Sequence, residues 1–243
     1  RSRGLGDVYK RQIHSNLGDT LYKLGRFEDA IRSYGLVQST HSRAKTLECL
    51  YALKRYKEFY SSLCKLLTVD KNNIRAAAIS AFASQQLNHT DPHPFCKEPI
   101  KFVRVYECLD VEDDQGKFLH HLIDELMSRA SIWEPTGKTT KGGFQSPNNL
   151  FVNPTGVLAD LEQLITDKVE HYRFEFSSED CDYIKLMPKQ FVLSGWIVRL
   201  LKGGHQTEHI HPGGWLSGVF YLQMPKFSVQ DEGSIEFVLR GYN

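Results

Sequence analysis

Apolar residues along positions 13–88 recur at the helical period. Leu17, Leu21 and Leu24 stand at i, i+4 and i+7, which puts them on one helix face, and Gly25 closes the run. Phe27, Ala30, Ile31 and Tyr34 repeat the pattern over 27–37. Small residues at Gly18 and Ala30 would let two neighbouring helices approach closely, with Leu17, Leu21 and Tyr34 filling the space between them. Two more helical runs follow at 44–53 and 56–69, the second with Leu63, Leu66 and Leu67 apolar. The turn Asp70-Lys71-Asn72-Asn73 leads into an Ala-rich helical run at 74–87.

The period changes after residue 88. The stretch NHTDPHPFCKEP carries three of the nine prolines (Pro92, Pro94 and Pro99), which deny helix to the residues before them and predict a linker over 89–99. His89 and His93 beside Cys96 fit no standard zinc spacing and are expected to face solvent. Residues 100–109 alternate as a strand does. Residues 115–130 are amphipathic and helical, with Phe118, Leu119, Leu122, Ile123 and Leu126 apolar. His120 and His121 on that helix diverge by about 100° and are poorly placed to share a metal. Residues 134–154 are rich in Gly, Pro and Asn and predict a loop. A second helix covers 157–174, with Leu158, Leu161, Leu164, Ile165 and Val169 apolar. Residues 190–201 then alternate and are β-branched, until Lys202-Gly203-Gly204 breaks the run. Residues 215–224 are apolar and aromatic and stop at Pro225. Helices followed by strands with flanking helices predict an α+β fold.

The 243 residues allow one large domain or two small ones. We expect helical repeats over 13–88, the linker, and a second domain over 100–243. Lys and Arg number 30 against 29 Asp and Glu, so the formal net charge is 30 − 29 = +1. No global field argues for nucleic acid or an acidic membrane surface. No apolar run approaches the roughly 20 residues that span a bilayer. The five cysteines (Cys49, Cys64, Cys96, Cys108 and Cys181) are scattered and without CxxC spacing, which fits a reducing, cytoplasmic setting. The first Met is Met127, and residues 1–12 (RSRGLGDVYKRQ) resemble a translated sequencing adapter, so they are expected to be a non-native leader. A chain truncated at both ends is the expectation.

Candidate chemistry lies between the last two apolar runs, where His205, His209 and His211 occur. In extended backbone His209 and His211, at i and i+2, point to the same face. Two neutral imidazoles on one face can hold a first-row divalent metal and leave positions open for substrate. A surface loop with several histidines gives the same pattern without chemistry. Gly137-Lys138-Thr139 spells the end of a phosphate-binding loop, but the glycine that motif needs five residues earlier is Ile132. Trp196 and Trp215 are expected in the core.

The stretch GWIVRLLKGGHQTEHIHPGGWLSGVFYL, residues 195–222, resembles the 2-oxoglutarate/Fe(II) oxygenases that carry an HxHP motif followed by an SGV-aromatic-Tyr strand. The resemblance reaches back to Pro94-Phe95-Cys96 and Asn148-Asn149-Leu150-Phe151, and forward to Glu232-Gly233-Ser234-Ile235-Glu236-Phe237. It implies a partial double-stranded β-helix, or jelly roll, with Fe(II) and 2-oxoglutarate as cofactors. His209 falls at the first metal ligand. His211 falls where most of the superfamily has a carboxylate, so either both histidines bind or Glu208 or Asp231 supplies the carboxylate. His205 is expected beside the ligands rather than among them. Arg199, if it points inward, could hold the 2-oxoglutarate carboxylate, and Tyr221 could hydrogen-bond it; a solvent-facing Arg199 and a core-packing Tyr221 are the alternatives. The distal ligand and the cosubstrate's basic partner have no candidate in this chain, so little or no turnover is expected of it.

The series Leu17-Gly18…Gly25…Ala30…Tyr34 is similar to the tetratricopeptide repeat, with 44–69 and 74–87 following in outline. That resemblance implies a concave surface for a protein or peptide partner; a spacer docked on the second domain is the other reading. Oligomeric state is left open. The resemblances imply an Fe(II)/2-oxoglutarate dioxygenase; a cupin-like metal protein that does not use the keto acid and a non-catalytic interaction protein are the alternatives.

Overall fold

The computed structural model describes residues 3–108, 116–211, 213–224 and 232–237. Among the residues singled out above, Leu109, Gln115, Pro212, Pro225 and Asp231 lie outside that set, as do residues 1 and 2 of the expected leader. The described residues fall into two units, one made of those up to Pro99 together with Cys181–Tyr183, the other of Ile100–Asp180 with Ile184–Phe237.

The first unit is built from five helices: α1 (Arg3–Lys23), α2 (Phe27–Gly35), α3 (Thr40–Ala52), α4 (Tyr56–Val69) and α5 (Ile74–Gln86). Their bounds follow the apolar periodicity, and α1 runs without a break through residues 3–12. The small-against-large pairing predicted for the first two helices is present. A Cβ placed on Gly18 would fall 2.5 Å from the Tyr34 ring, and Tyr34 is buried with its hydroxyl donating to Asp19 at 2.7 Å. Leu17 departs from expectation: it is 44% exposed, while Leu21, one turn on, is buried against Ala30 and Tyr34. Leu47, Leu50, Phe59, Leu63, Ile79 and Phe82 form the larger core between α3, α4 and α5. A buried polar cluster crosses it, in which Glu48 pairs with Arg75 and accepts from Lys45 Nζ at 2.8 Å.

The way these helices end repeats. After α1, the Arg26 N–H bonds Leu21 O and the Gly25 N–H bonds Tyr22 O. After α3, Arg55 bonds Leu50 O and Lys54 bonds Tyr51 O. After α5, His89 bonds Ser84 O and Asn88 bonds Gln85 O. This is the same Schellman closure three times, and each needs a left-handed residue. Gly25, Lys54 and Asn88 take that position with φ of 72°, 57° and 50°. The starts of α3 and α5 match as well, since Ser39 and Asn73 accept from the backbone N–H three residues on.

Within the proline-rich stretch His93 and Phe95 are buried while Pro92, Pro94, Lys97 and Glu98 are exposed, which corrects the expectation for His93. His93 is 1% exposed, and its Nδ1 accepts from the Phe95 N–H at 3.2 Å. Asp91 fixes the turn by accepting from Ser80 Oγ at 2.5 Å and from the His93 N–H at 2.9 Å. Phe95 O in turn accepts from the Tyr183 N–H at 2.8 Å. Prolines exclude helix but do not exclude burial, and here side-chain bonds replace the missing backbone ones. His89 is exposed, as expected, and lies against the Tyr60 ring.

The second unit combines helices α6 (Lys117–Ser128) and α7 (Val157–Glu175) with a three-stranded antiparallel sheet, so the α+β character of the chain is present. Leu122 and Leu126 of α6 pack on Leu158 and Leu161 of α7, with Leu150, Ile197, Phe220 and Leu222 around them. The sheet order is β1 (Ile132–Trp133), β2 (Thr140–Gln145), β3 (Val198–Gln206). A short helical turn, α8, covers Asp182–Lys185, of which Asp182 and Tyr183 count with the first unit.

Four expectations about strands are corrected. The loop predicted at 134–154 contains the central strand, β2, in which Gly143 pairs with Leu200 and Gly142 lies at the register shift. The strand predicted at 190–201 is displaced to Val198–Gln206, so Lys202-Gly203-Gly204 lies inside β3. The physical reason is close approach. The β2–β3 register shifts between Lys141 and Gly143, and there a Cβ on Gly142 would sit 2.9 Å from Gly204 Cα. Residues 190–197 bond to the Ser146–Leu150 segment instead, through Ile197 N to Ser146 Oγ and Gly195 N to Asn149 Oδ1. Residues 215–224 have no regular secondary structure and pair with no strand among the described residues, although Phe220 and Leu222 pack on the helices. Residues 100–108 form a 3-10 turn (Pro99–Phe102) and an irregular segment held on the end of α7, where Tyr172 Oη donates to Phe102 O and Tyr106 Oη to Glu175.

Candidate metal centre

The chain leaves β3 at Gln206 and turns through Thr207 and Glu208 to the histidine pair. His209 Nδ1 donates to Thr207 O at 2.7 Å, a bond to a carbonyl that fixes the tautomer and leaves Nε2 with its lone pair free. That lone pair faces His211 Nε2 at 3.1 Å, and the rings meet edge to face with centroids 4.7 Å apart. The same-face placement expected from the i, i+2 spacing is thus observed, although residues 209–211 lie outside any strand.

The spacing suits coordination. Two imidazole nitrogens at the 2.0–2.1 Å usual for a first-row metal, on adjacent vertices, lie about 3.0–3.4 Å apart. The pair fits as two donors of such a site. Among the described residues there is no group of three or more His, Cys, Asp or Glu that could hold a metal ion. The remaining positions of a full coordination shell are therefore not supplied by this set.

His211 is partly buried and His209 exposed. Burial, helped by the neighbouring His209, holds the His211 imidazole below its ordinary basicity. A ring kept neutral in this way carries no charge to repel a cation, which favours metal over proton. The apolar neighbour is Trp196, whose ring centroid lies 5.6 Å from that of His211 at 43°. Trp196 is 40% exposed and Trp215 only partly buried, so neither is the core residue expected.

The other candidates stand apart from the pair. His205 is exposed on β3 in register with Lys141 and does not join the two histidines. Glu208 is exposed. Arg199 lies opposite Phe144, with its guanidinium over that ring at 4.6 Å and Nη1 against Met127 Sδ at 3.6 Å. Tyr221 donates to Gly233 O at 3.3 Å, and desolvation raises its phenol. Two contributors had no signal in the sequence. A backbone carbonyl such as that of Thr207 can come from any residue, and Trp196 lies fifteen positions before His211 with no fixed spacing.

These features define a histidine pair suited to a divalent metal, carried on the turn after a sheet strand. Residues 194–238, which contain all of it, match the family model described as "Putative 2OG-Fe(II) oxygenase". That family implies use of Fe(II) and 2-oxoglutarate. No curated protein and no solved structure matches the chain. Among the described residues no helix is long and apolar enough to cross a membrane.

Proposed function

We propose that this chain carries part of an Fe(II)/2-oxoglutarate-dependent dioxygenase in which His209 and His211 hold the metal. The observation that carries the reading is a coincidence. The segment matched by the oxygenase family, 194–238, is also where two imidazole nitrogens face each other at 3.1 Å. Such a centre supplies hydroxylation of a substrate carbon by O₂, coupled to oxidative decarboxylation of the keto acid. The residues of this chain bind and orient: Thr207 O sets the His209 tautomer, and the edge-to-face contact sets the His211 ring. Arg199 and Tyr221 are the proposed partners for the cosubstrate. Arg199 would have to leave its place over Phe144 to serve, because its described contacts are with that ring and Met127. A jelly roll as the parent architecture, with residues 100–243 as its first part, belongs to the same proposal.

The helices of the first unit form tetratricopeptide-like repeats in this reading. The threefold Schellman closure at Gly25, Lys54 and Asn88 supports it, as do the matching caps at Ser39 and Asn73. Their proposed role is to bind a protein or peptide partner or substrate, in the cytoplasm.

Calorimetric titration of anaerobic Fe(II) into the chain tests the site. His209→Ala and His211→Ala should each weaken binding by at least about tenfold. Addition of 2-oxoglutarate should tighten it. Metal affinity unchanged in both variants would reject the oxygenase reading. Affinity that depends on both histidines but ignores the keto acid would reassign the chain as a cupin-like metal protein.

A further inference from the structure

His209 has a carbonyl as orienting partner, and among the described residues His211 has none of that kind. The Nδ1 of His209 is anchored on Thr207 O, whereas the hydrogen bond described for the His211 side chain is the one it shares with His209. Metal-binding imidazoles generally need their outer side held, because a freely rotating ring loses affinity. His209 meets the His211 ring edge to face with centroids 4.7 Å apart, and the second aromatic neighbour is Trp196, tilted by 43° with its centroid at 5.6 Å.

Trp196 is itself held with care. Both neighbouring peptides are bonded on both sides: Gly195 N to Asn149 Oδ1 and Leu150 N to Gly195 O, each at 2.8 Å, then Ile197 N to Ser146 Oγ and Ser146 N to Ile197 O, each at 3.0 Å. Gly195 is confined further, since a Cβ there would meet the Phe151 ring at 2.5 Å. Four hydrogen bonds thus fix the backbone of a tryptophan whose ring stays 40% exposed. The backbone is thus anchored while the ring stays out of the core and lies against the His211 imidazole.

We infer that Trp196 is a positioning residue of the metal centre, clamping the His211 ring in the orientation that places Nε2 opposite that of His209. The inference rests on the function proposed above, and it adds a residue that acts through His211 without touching the metal.

The test uses Co(II) as probe, titrated into the full chain and followed by calorimetry and by its visible absorption bands. Trp196→Ala should weaken Co(II) binding by about tenfold, while Trp196→Phe, which keeps an aromatic face, should recover most of it. The wild-type chain should also lose tryptophan fluorescence on Co(II) addition, by an amount that Trp196→Phe removes. Circular dichroism of each variant shows whether the fold is retained. A merely structural Trp196 would lower the melting temperature of Trp196→Ala and leave the Co(II) affinity of its folded fraction unchanged. Full affinity in folded Trp196→Ala, with binding still lost in His211→Ala, would overturn the positioning role and leave the oxygenase reading standing. Affinity unchanged in His209→Ala and His211→Ala would overturn both.

Discussion

The helical unit and the sheet unit differ in where their backbone groups find partners. In α1 to α5 the partners lie four residues away, and the ends are closed by local turns and caps. In the second unit the decisive bonds join positions about fifty residues apart, such as Ser146 to Ile197 and Asn149 to Gly195. Local bonding makes a stretch legible and self-consistent. Non-local bonding lets a close approach, such as Gly142 on Gly204, decide where a strand begins and ends. The candidate chemistry sits on the second kind of scaffold: His209 and His211 follow a strand whose position depends on a glycine pair sixty residues earlier.

This contrast can be broken by substitution. The largest effect should come from the helical core, where Phe59 is fully buried. Phe59→Ala should cost about 3–5 kcal/mol by chemical denaturation. By comparison Val192→Ala, at a side chain 92% exposed in the second unit, should stay within about 0.5 kcal/mol. Equal losses would contradict the burial of Phe59 and the exposure of Val192.

Next is the close approach in the sheet. Gly204→Ala would drive a Cβ into the Gly142 carbonyl and should cost about 1–3 kcal/mol. Hydrogen exchange of the β2 and β3 amides should report it before the helices change. Loss confined to the helices would contradict the observed register.

The joint between sequence regions gives a pH test. Burial holds the His93 imidazole below the ordinary 6.5, against the opposing pull of Asp91 and Asp182. Its Nδ1 must also stay unprotonated to accept from Phe95. The unfolded chain therefore takes up the proton first as pH falls. His93 costs no stability above the unfolded value, and stability declines as pH drops below 6.5 towards the lower folded value. In His93→Leu that part of the decline should disappear from denaturation curves collected at several pH values. A decline of the same steepness would remove His93 from the account.

The smallest effect concerns the repeated turn. Lys54 occupies at φ 57° the place held by Gly25 and Asn88 in the other two closures. A lysine there is strained and a glycine is not, so Lys54→Gly should stabilise the chain by about 0.5–1 kcal/mol in thermal melts. Destabilisation would mean that the Lys54 side chain contributes more than its backbone costs.

The sequence by itself determined the helices. The apolar spacing of Leu63 and Leu66 and the Gly18–Tyr34 pairing needed only neighbours a few residues apart, or on the next helix. It also marked out the histidine pair, because extended backbone puts i and i+2 on one side. Tertiary structure decided the rest. It buried His93 in a proline-rich stretch, made a strand of Thr140–Gln145, and moved β3 across its glycines. It also set Thr207 O and the Trp196 ring against the two imidazoles. Each of these depends on a partner distant in the chain or on a backbone atom common to every residue, and neither leaves a periodic trace in the order of side chains.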